Sequence, residues 1–134
     1  MALTNANGKL ILVVDDEPAV VRVVTVFLAR AGYMAIVAEN GASGLEAFQA
    51  SADQIDLVLA DIVMPVLDGI SMANAIRRIR PNVPVLLMSG YSESVITTIS
   101  KESFPFIKKP FLAAELVLAI EVNLTSSDSD ATSA

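Results

Sequence analysis

LILVVDDEPAVVRVVTVFLARAGYMAIVA, residues 10–38, holds two short apolar runs on either side of a longer one. LILVV (10–14) and YMAIVA (33–38) have the length of strands. Pro18 to Ala31 between them is too long for a typical strand and too long for a loop, so a helix is expected despite its many valines. Pro18 suits the first helical turn, where a missing N–H is no loss, and Gly32 suits the position just past a helix end. The unit is therefore β-α-β, the building block of a parallel sheet.

Working outward, the same alternation continues to the end of the chain. DLVLA (56–60), PVLLM (84–88) and FPFIK (104–108) are the remaining strand candidates, most of them apolar on both faces as buried parallel strands are. Helices are expected at Ala42 to Ser51, at Ile70 to Arg80 and at Phe111 to Leu124. A further, pliable helix is expected in YSESVITTISKE (91–102), whose Ser, Thr and β-branched residues lower helix propensity. Pro105 has no N–H for a central ladder, which places the last strand at the sheet edge. The tail TSSDSDATSA (125–134) is small and polar and is expected to be disordered, leaving residues 9–124 as one domain.

Composition narrows the chemistry. The 134 residues fit a single core, and 54% hydrophobic against 18% charged residues supplies apolar surface for a sheet covered on both faces. The chain has no cysteine, which removes disulfides, thiolate metal sites and a Cys nucleophile. It has no histidine either, which removes imidazole bases, ligands and phosphohistidine. A net charge of −6, with nine basic residues in no long cluster, argues against direct nucleic-acid binding. No apolar run approaches the roughly 18 residues of a membrane span, and MALTNANGKL at the start lacks a signal-peptide pattern. A cytoplasmic protein without membrane insertion is expected.

In open parallel sheets, functional groups gather beyond the carboxyl ends of the strands. The polar residues there are Asp15 and Asp16 after the first strand, Asp61 after the third, Ser89 after the fourth and Lys109 after the fifth. Close carboxylate pairs repel by about 4 kcal/mol at 4 Å with an effective dielectric near 20. A divalent cation relieves that, and an all-oxygen ligand set selects a hard ion such as Mg²⁺. A carboxylate can also act as a nucleophile toward phosphorus if the phosphoryl charge is neutralised. Lys109 would supply a second cation and Ser89 a hydroxyl donor.

ILVVDDEP (11–18), LVLADIVMPVLDG (57–69), VPVLLMSGY (83–91) and FIKKPF (106–111) together resemble the response-regulator receiver family of two-component systems. The resemblance implies a flavodoxin-like α/β fold, doubly wound, with a five-stranded parallel sheet in the order 2-1-3-4-5 and five flanking helices. It implies that Asp61 is the phosphoacceptor, and that Asp15, Asp16, Asp61 and the backbone carbonyl of Val63 hold Mg²⁺ or Mn²⁺. Lys109 would pair with the phosphoryl group, Ser89 would be the switch hydroxyl and Phe106 the switch aromatic, with Lys109–Pro110 cis. Ser89 stands where the family most often has Thr. Phe106 stands where Tyr is frequent, which puts any phenol-dependent partner contact in doubt.

The implied activity is acceptance of a phosphoryl group from a histidine kinase or histidine phosphotransfer protein, switching a surface read by a downstream protein. The chain would catalyse only its own phosphorylation and dephosphorylation. Two other readings stand beside it: a pseudo-receiver that binds partners without phosphorylation, and a phosphohydrolase using Asp61, for which Val63 occupies the place of the usual second acid. Taken singly, Asp15 and Asp16 also fit turn and helix-cap roles, Asp68 with Gly69 fits a turn, and Lys108 fits a solvated charge. Val20, Val21, Val23, Val24, Leu118 and Val122 exceed what one-sided helices need. Deep burial is the favoured explanation; the sharper one is an apolar patch for a kinase helix pair or a homodimer.

Overall fold

The computed structural model describes residues 8–90 and 104–133, with side chains to Thr125. Five strands form one parallel sheet: β1 (Leu10–Val14), β2 (Met34–Ala38), β3 (Ile55–Asp61), β4 (Val85–Ser89) and β5 (Phe106–Lys108). Their order is β2-β1-β3-β4-β5, as expected. The described helices are α1 (Pro18–Arg30), α2 (Gly41–Ala50), α3 (Gly69–Ile79) and α4 (Ala113–Ser133). The helix expected over 91–102 lies outside the described residues.

The valine-rich segment is a helix, with Pro18 in its first turn and Gly32 beyond its end at φ 92. Length and end signals outweighed β-branched propensity because Val24 and Leu28, one turn apart, reach the core together. One face of the sheet carries Leu12, Val14, Val58, Ala60 and Leu87 against α2 and α3; the other carries Ile11, Val13, Leu57, Leu59 and Met88 against α1 and α4. Each such fully buried Leu or Ile contributes about 2 kcal/mol of transfer free energy. The strands β1, β3 and β4 therefore read as continuous apolar runs, whereas β2, at the edge, leaves Met34 and Val37 exposed.

The other expected edge is β5. Pro105 lies just before its first residue, at the strand start where a proline is tolerated, and its carbonyl accepts the Leu87 N–H at 2.9 Å. The helix expected to end at Leu124 continues to Ser133, over the tail expected to be disordered. Neither Gly nor Pro follows Pro110 in the sequence to stop it.

Deep burial, the favoured explanation of the apolar helix residues, holds for Val24 alone. Val20 and Val21 are half-buried, and Val23, Leu118 and Val122 are 48%, 61% and 54% exposed. The 3.6-residue period turns them away from the face that carries Val24, Leu116 and Ile120.

Candidate functional site

Strand β1 delivers Asp15 to the end of the sheet, where its N–H donates to the Ala38 carbonyl at 3.2 Å. Its buried carboxylate does two things. Oδ1 accepts the Glu17 N–H at 2.9 Å, the turn role anticipated for it, while Oδ2 lies 3.1 Å from Lys109 Nζ. Asp16 is exposed beside it. Asp61 closes β3 with its residue only 7% exposed, and its Oδ2 is 3.4 Å from the same Lys109 nitrogen. One carboxylate oxygen from each of Asp15, Asp16 and Asp61 lies within 4.8 Å of the others.

Ser89 ends β4, buried, and its carbonyl accepts the Lys109 N–H at 2.7 Å. With Glu17, Asp61, Val63, Gly90 and Lys109 it lines a cleft of about 370 Å³. Lys109 points inward and the neighbouring Lys108 is exposed, as strand alternation requires. The Lys109–Pro110 bond is cis. Phe106 is set apart from the cleft: it pairs in register with Leu87 and packs half-buried against the core beneath α2 and α3. Asp68 caps α3, its two oxygens accepting from the Ser71 N–H and hydroxyl at 2.9 Å each, and takes no part in the cluster.

Burial pushes the Asp61 carboxyl above the usual carboxylate range. Lys109 pulls it back, Asp15 adds to the rise, and a backbone hydrogen bond from Val63 opposes it. For Lys109, burial works against the ammonium, but the hydrogen bond to Asp15 and the charges of Asp61 and Asp15 outweigh it, leaving its pKa raised. Asp15 and Asp61 thus share one lysine. The donor set is all oxygen and carries excess negative charge, which fits a hard divalent cation.

Glu17 is the residue that the motif argument passed over. Its Oε1 lies 3.7 Å from Lys109 Nζ, and its exposed side chain stands at the mouth of the cleft. Its place next to Asp16 in DDEP was the available signal. Among the described residues no helix is long and apolar enough to cross a membrane.

A family model described as the response regulator receiver domain matches residues 11–121. The transcriptional regulatory protein PrrA of Mycobacterium tuberculosis is 33% identical over 132 residues, covering 97% of this chain and 56% of that protein. The sensor kinase CckA of Brucella abortus is 29% identical, covering 93% of this chain and 14% of that protein. The chain therefore spans only part of the length of these relatives. A solved response regulator receiver domain protein from Clostridium thermocellum superposes with a TM-score of 0.80 at 27% identity, over 89% of this chain and 96% of that one.

Proposed function

The chain belongs to the response regulator receiver domain family, and we propose that it accepts a phosphoryl group on Asp61 from a histidine kinase or histidine phosphotransfer protein. The observation that carries this reading is the convergence of Asp15, Asp16 and Asp61 on one point, with Lys109 within 3.1 Å and 3.4 Å of two of them. Asp15, Asp16, Asp61 and the Val63 carbonyl would hold Mg²⁺ or Mn²⁺, which when bound offsets the phosphoryl charge.

An oxygen of the Asp61 carboxylate attacks phosphorus as the bond to the donor imidazole breaks, and the imidazole leaves with a solvent proton. Lys109 would meet a phosphoryl oxygen and Ser89 would donate its hydroxyl to another, a reading supported by both residues lining the cleft. The nucleophile is the ionised carboxylate, which a bound cation would favour over the protonated form that burial favours. Drawing Ser89 inward lets Phe106, two positions from the Ser89 partner Lys108 along β5, shift its packing and change the surface that a downstream protein reads.

The unit that does this spans residues 9–124, with Leu124 in the core beneath α1 and α4. It acts in the cytoplasm, as a separate regulator or as a segment of a larger kinase, and it is no enzyme beyond its own phosphorylation and dephosphorylation. Exposed Val23, Leu118 and Val122 offer apolar contact to a partner or to a second copy.

Incubation with Mg²⁺ and acetyl phosphate, followed by a phosphate-affinity gel, tests the acceptor role. A shifted band lost in Asp61→Asn and in EDTA is expected; its absence would favour a non-phosphorylated binding module. Val63, apolar and 55% exposed, cannot orient an attacking water, so the band persists well beyond seconds after the donor is removed. A half-life of seconds in that time course contradicts the role given to Val63.

A further inference from the structure

Between Asp61 and α3 the chain turns through Ile62–Asp68, and three features make this loop stiff. Its base is closed by the Gly69 N–H donating to the Ile62 carbonyl at 2.8 Å. A Cβ at Gly69 would collide with the Asp61 carbonyl oxygen, so the base sits in contact with the backbone of the acceptor residue itself. At the tip, the Leu67 N–H donates to the Pro65 carbonyl at 2.8 Å around Val66, whose φ is 74. That is a γ-turn of the left-handed, strained kind, here centred on a β-branched residue.

Gly41 lies outside this loop in sequence but against it in space. A Cβ there would fall on the Leu67 carbonyl oxygen and lie 2.8 Å from both the carbonyl carbon and Cβ of Leu67. The obstacle is backbone, so it cannot swing aside as a side chain would. The position of Gly41 is itself fixed, because Asn40 and Ser43 form a reciprocal cap at the start of α2, with the Ser43 N–H donating to Asn40 Oδ1 at 2.8 Å.

We propose that Gly41 is a positioning residue for the cation site, acting through Leu67 on the backbone of Val63; this deepens the reading of the site given above. Pushed by a side chain at position 41, Leu67 has no soft joint behind it. Pro65 has a locked φ and Val66 already occupies a narrow left-handed well. Displacement then passes along the loop to Val63, whose exposed side chain has little packing to resist it. Val63 is the residue whose carbonyl would complete the cation's oxygen set.

Calorimetric titration of the intact chain with Mg²⁺ tests this, alongside urea denaturation of each variant. Gly41→Ala is expected to weaken Mg²⁺ binding about tenfold or more, the scale seen when supports of metal ligands are lost. Leu67→Ala, which keeps the carbonyl and Cβ that face Gly41 but removes the side-chain atoms that pack Leu67 against the core, frees the same loop to shift; it is expected to weaken binding several-fold and covers the case in which Gly41→Ala does not fold. Gly44→Ala is the control: its Cβ would meet Met72 Sδ at 2.8 Å and Val14 Cγ2 at 2.9 Å, so it strains the α2 packing without touching the loop. It should lower the urea midpoint and leave Mg²⁺ affinity within twofold of wild type. If Gly41→Ala and Leu67→Ala also stay within twofold, or if Gly44→Ala weakens binding as much as they do, the positioning role is overturned alone. A wild-type chain that binds no Mg²⁺ overturns the site reading and the positioning role together.

Discussion

At the amino end of the sheet, charged side chains are committed to backbone groups. Asp56 accepts the Leu10 N–H at 2.7 Å, Arg80 donates to the carbonyls of Ala52 and Ile55, and Arg77 donates to the Val83 carbonyl at 3.1 Å while lying over the Phe104 ring. At the carboxyl end, Asp15, Asp61 and Lys109 are directed at one another, with Glu17 and Asp16 adding negative charge at the rim. The same residue types tie strands together at one end and leave repulsion that Lys109 only partly relieves at the other. The first arrangement stabilises the fold; the second carries the excess negative charge on which the proposed cation and phosphoryl site rests.

The largest expected effect comes from removing the acceptor. Asp61→Asn should abolish phosphate labelling and yet make the metal-free protein more stable at neutral pH. Burial raises the pKa of Asp61, so the folded state holds its proton more tightly than the unfolded state does. Stability from this group is complete below the ordinary carboxylate pKa and is lost as pH rises through the raised one. Thermal melts of metal-free wild type across that window should fall relative to the variant, and Mg²⁺ should restore wild type selectively. A variant less stable than wild type at neutral pH without metal would contradict the account of strain at this end.

Arg80 sharpens the contrast from the other end. Arg80→Ala leaves two carbonyls short of a charged donor and should cost about 2 kcal/mol of stability, read from urea midpoints. The acetyl-phosphate labelling rate should stay at the wild-type value, because no part of Arg80 reaches the cleft. Loss of labelling in a folded Arg80→Ala protein would mean that the two ends are coupled.

How much of this could be read from the chain alone follows from the same division. LILVV, DLVLA and PVLLM are apolar because both faces of the sheet are covered, and that pattern is local in sequence. The polar residues that follow each strand sit where topology gathers them, so Asp15, Asp61, Ser89 and Lys109 were legible as a group. Exposure of Val23, Leu118 and Val122 was not, because their apolar character fits burial as well as a patch, and only helix phase against the sheet separates the two. The end of α4 was missed because Ser and Asp are weak helix formers, yet no residue breaks the helix before Ser133. The contacts of Gly41 and Glu17 join distant segments and leave no periodic trace.

The smallest effect expected lies between the two ends in character. Val66 is neither charged nor buried; it is 82% exposed, so its side chain makes little packing that would explain its φ of 74. A non-glycine residue in left-handed backbone costs on the order of 1 kcal/mol or more, and a β-branched one suffers most. Val66→Gly removes that penalty but makes the unfolded chain more flexible, which returns about 0.5–1 kcal/mol. The net gain should therefore be small, up to about 1 kcal/mol, or roughly 4 °C in melting temperature for a domain of this size. Mg²⁺ affinity is the sharper measurement. If stiffness of the γ-turn helps to hold Val63, the glycine variant should bind Mg²⁺ more weakly while melting higher, since strain that positions a ligand is relieved at the expense of that position.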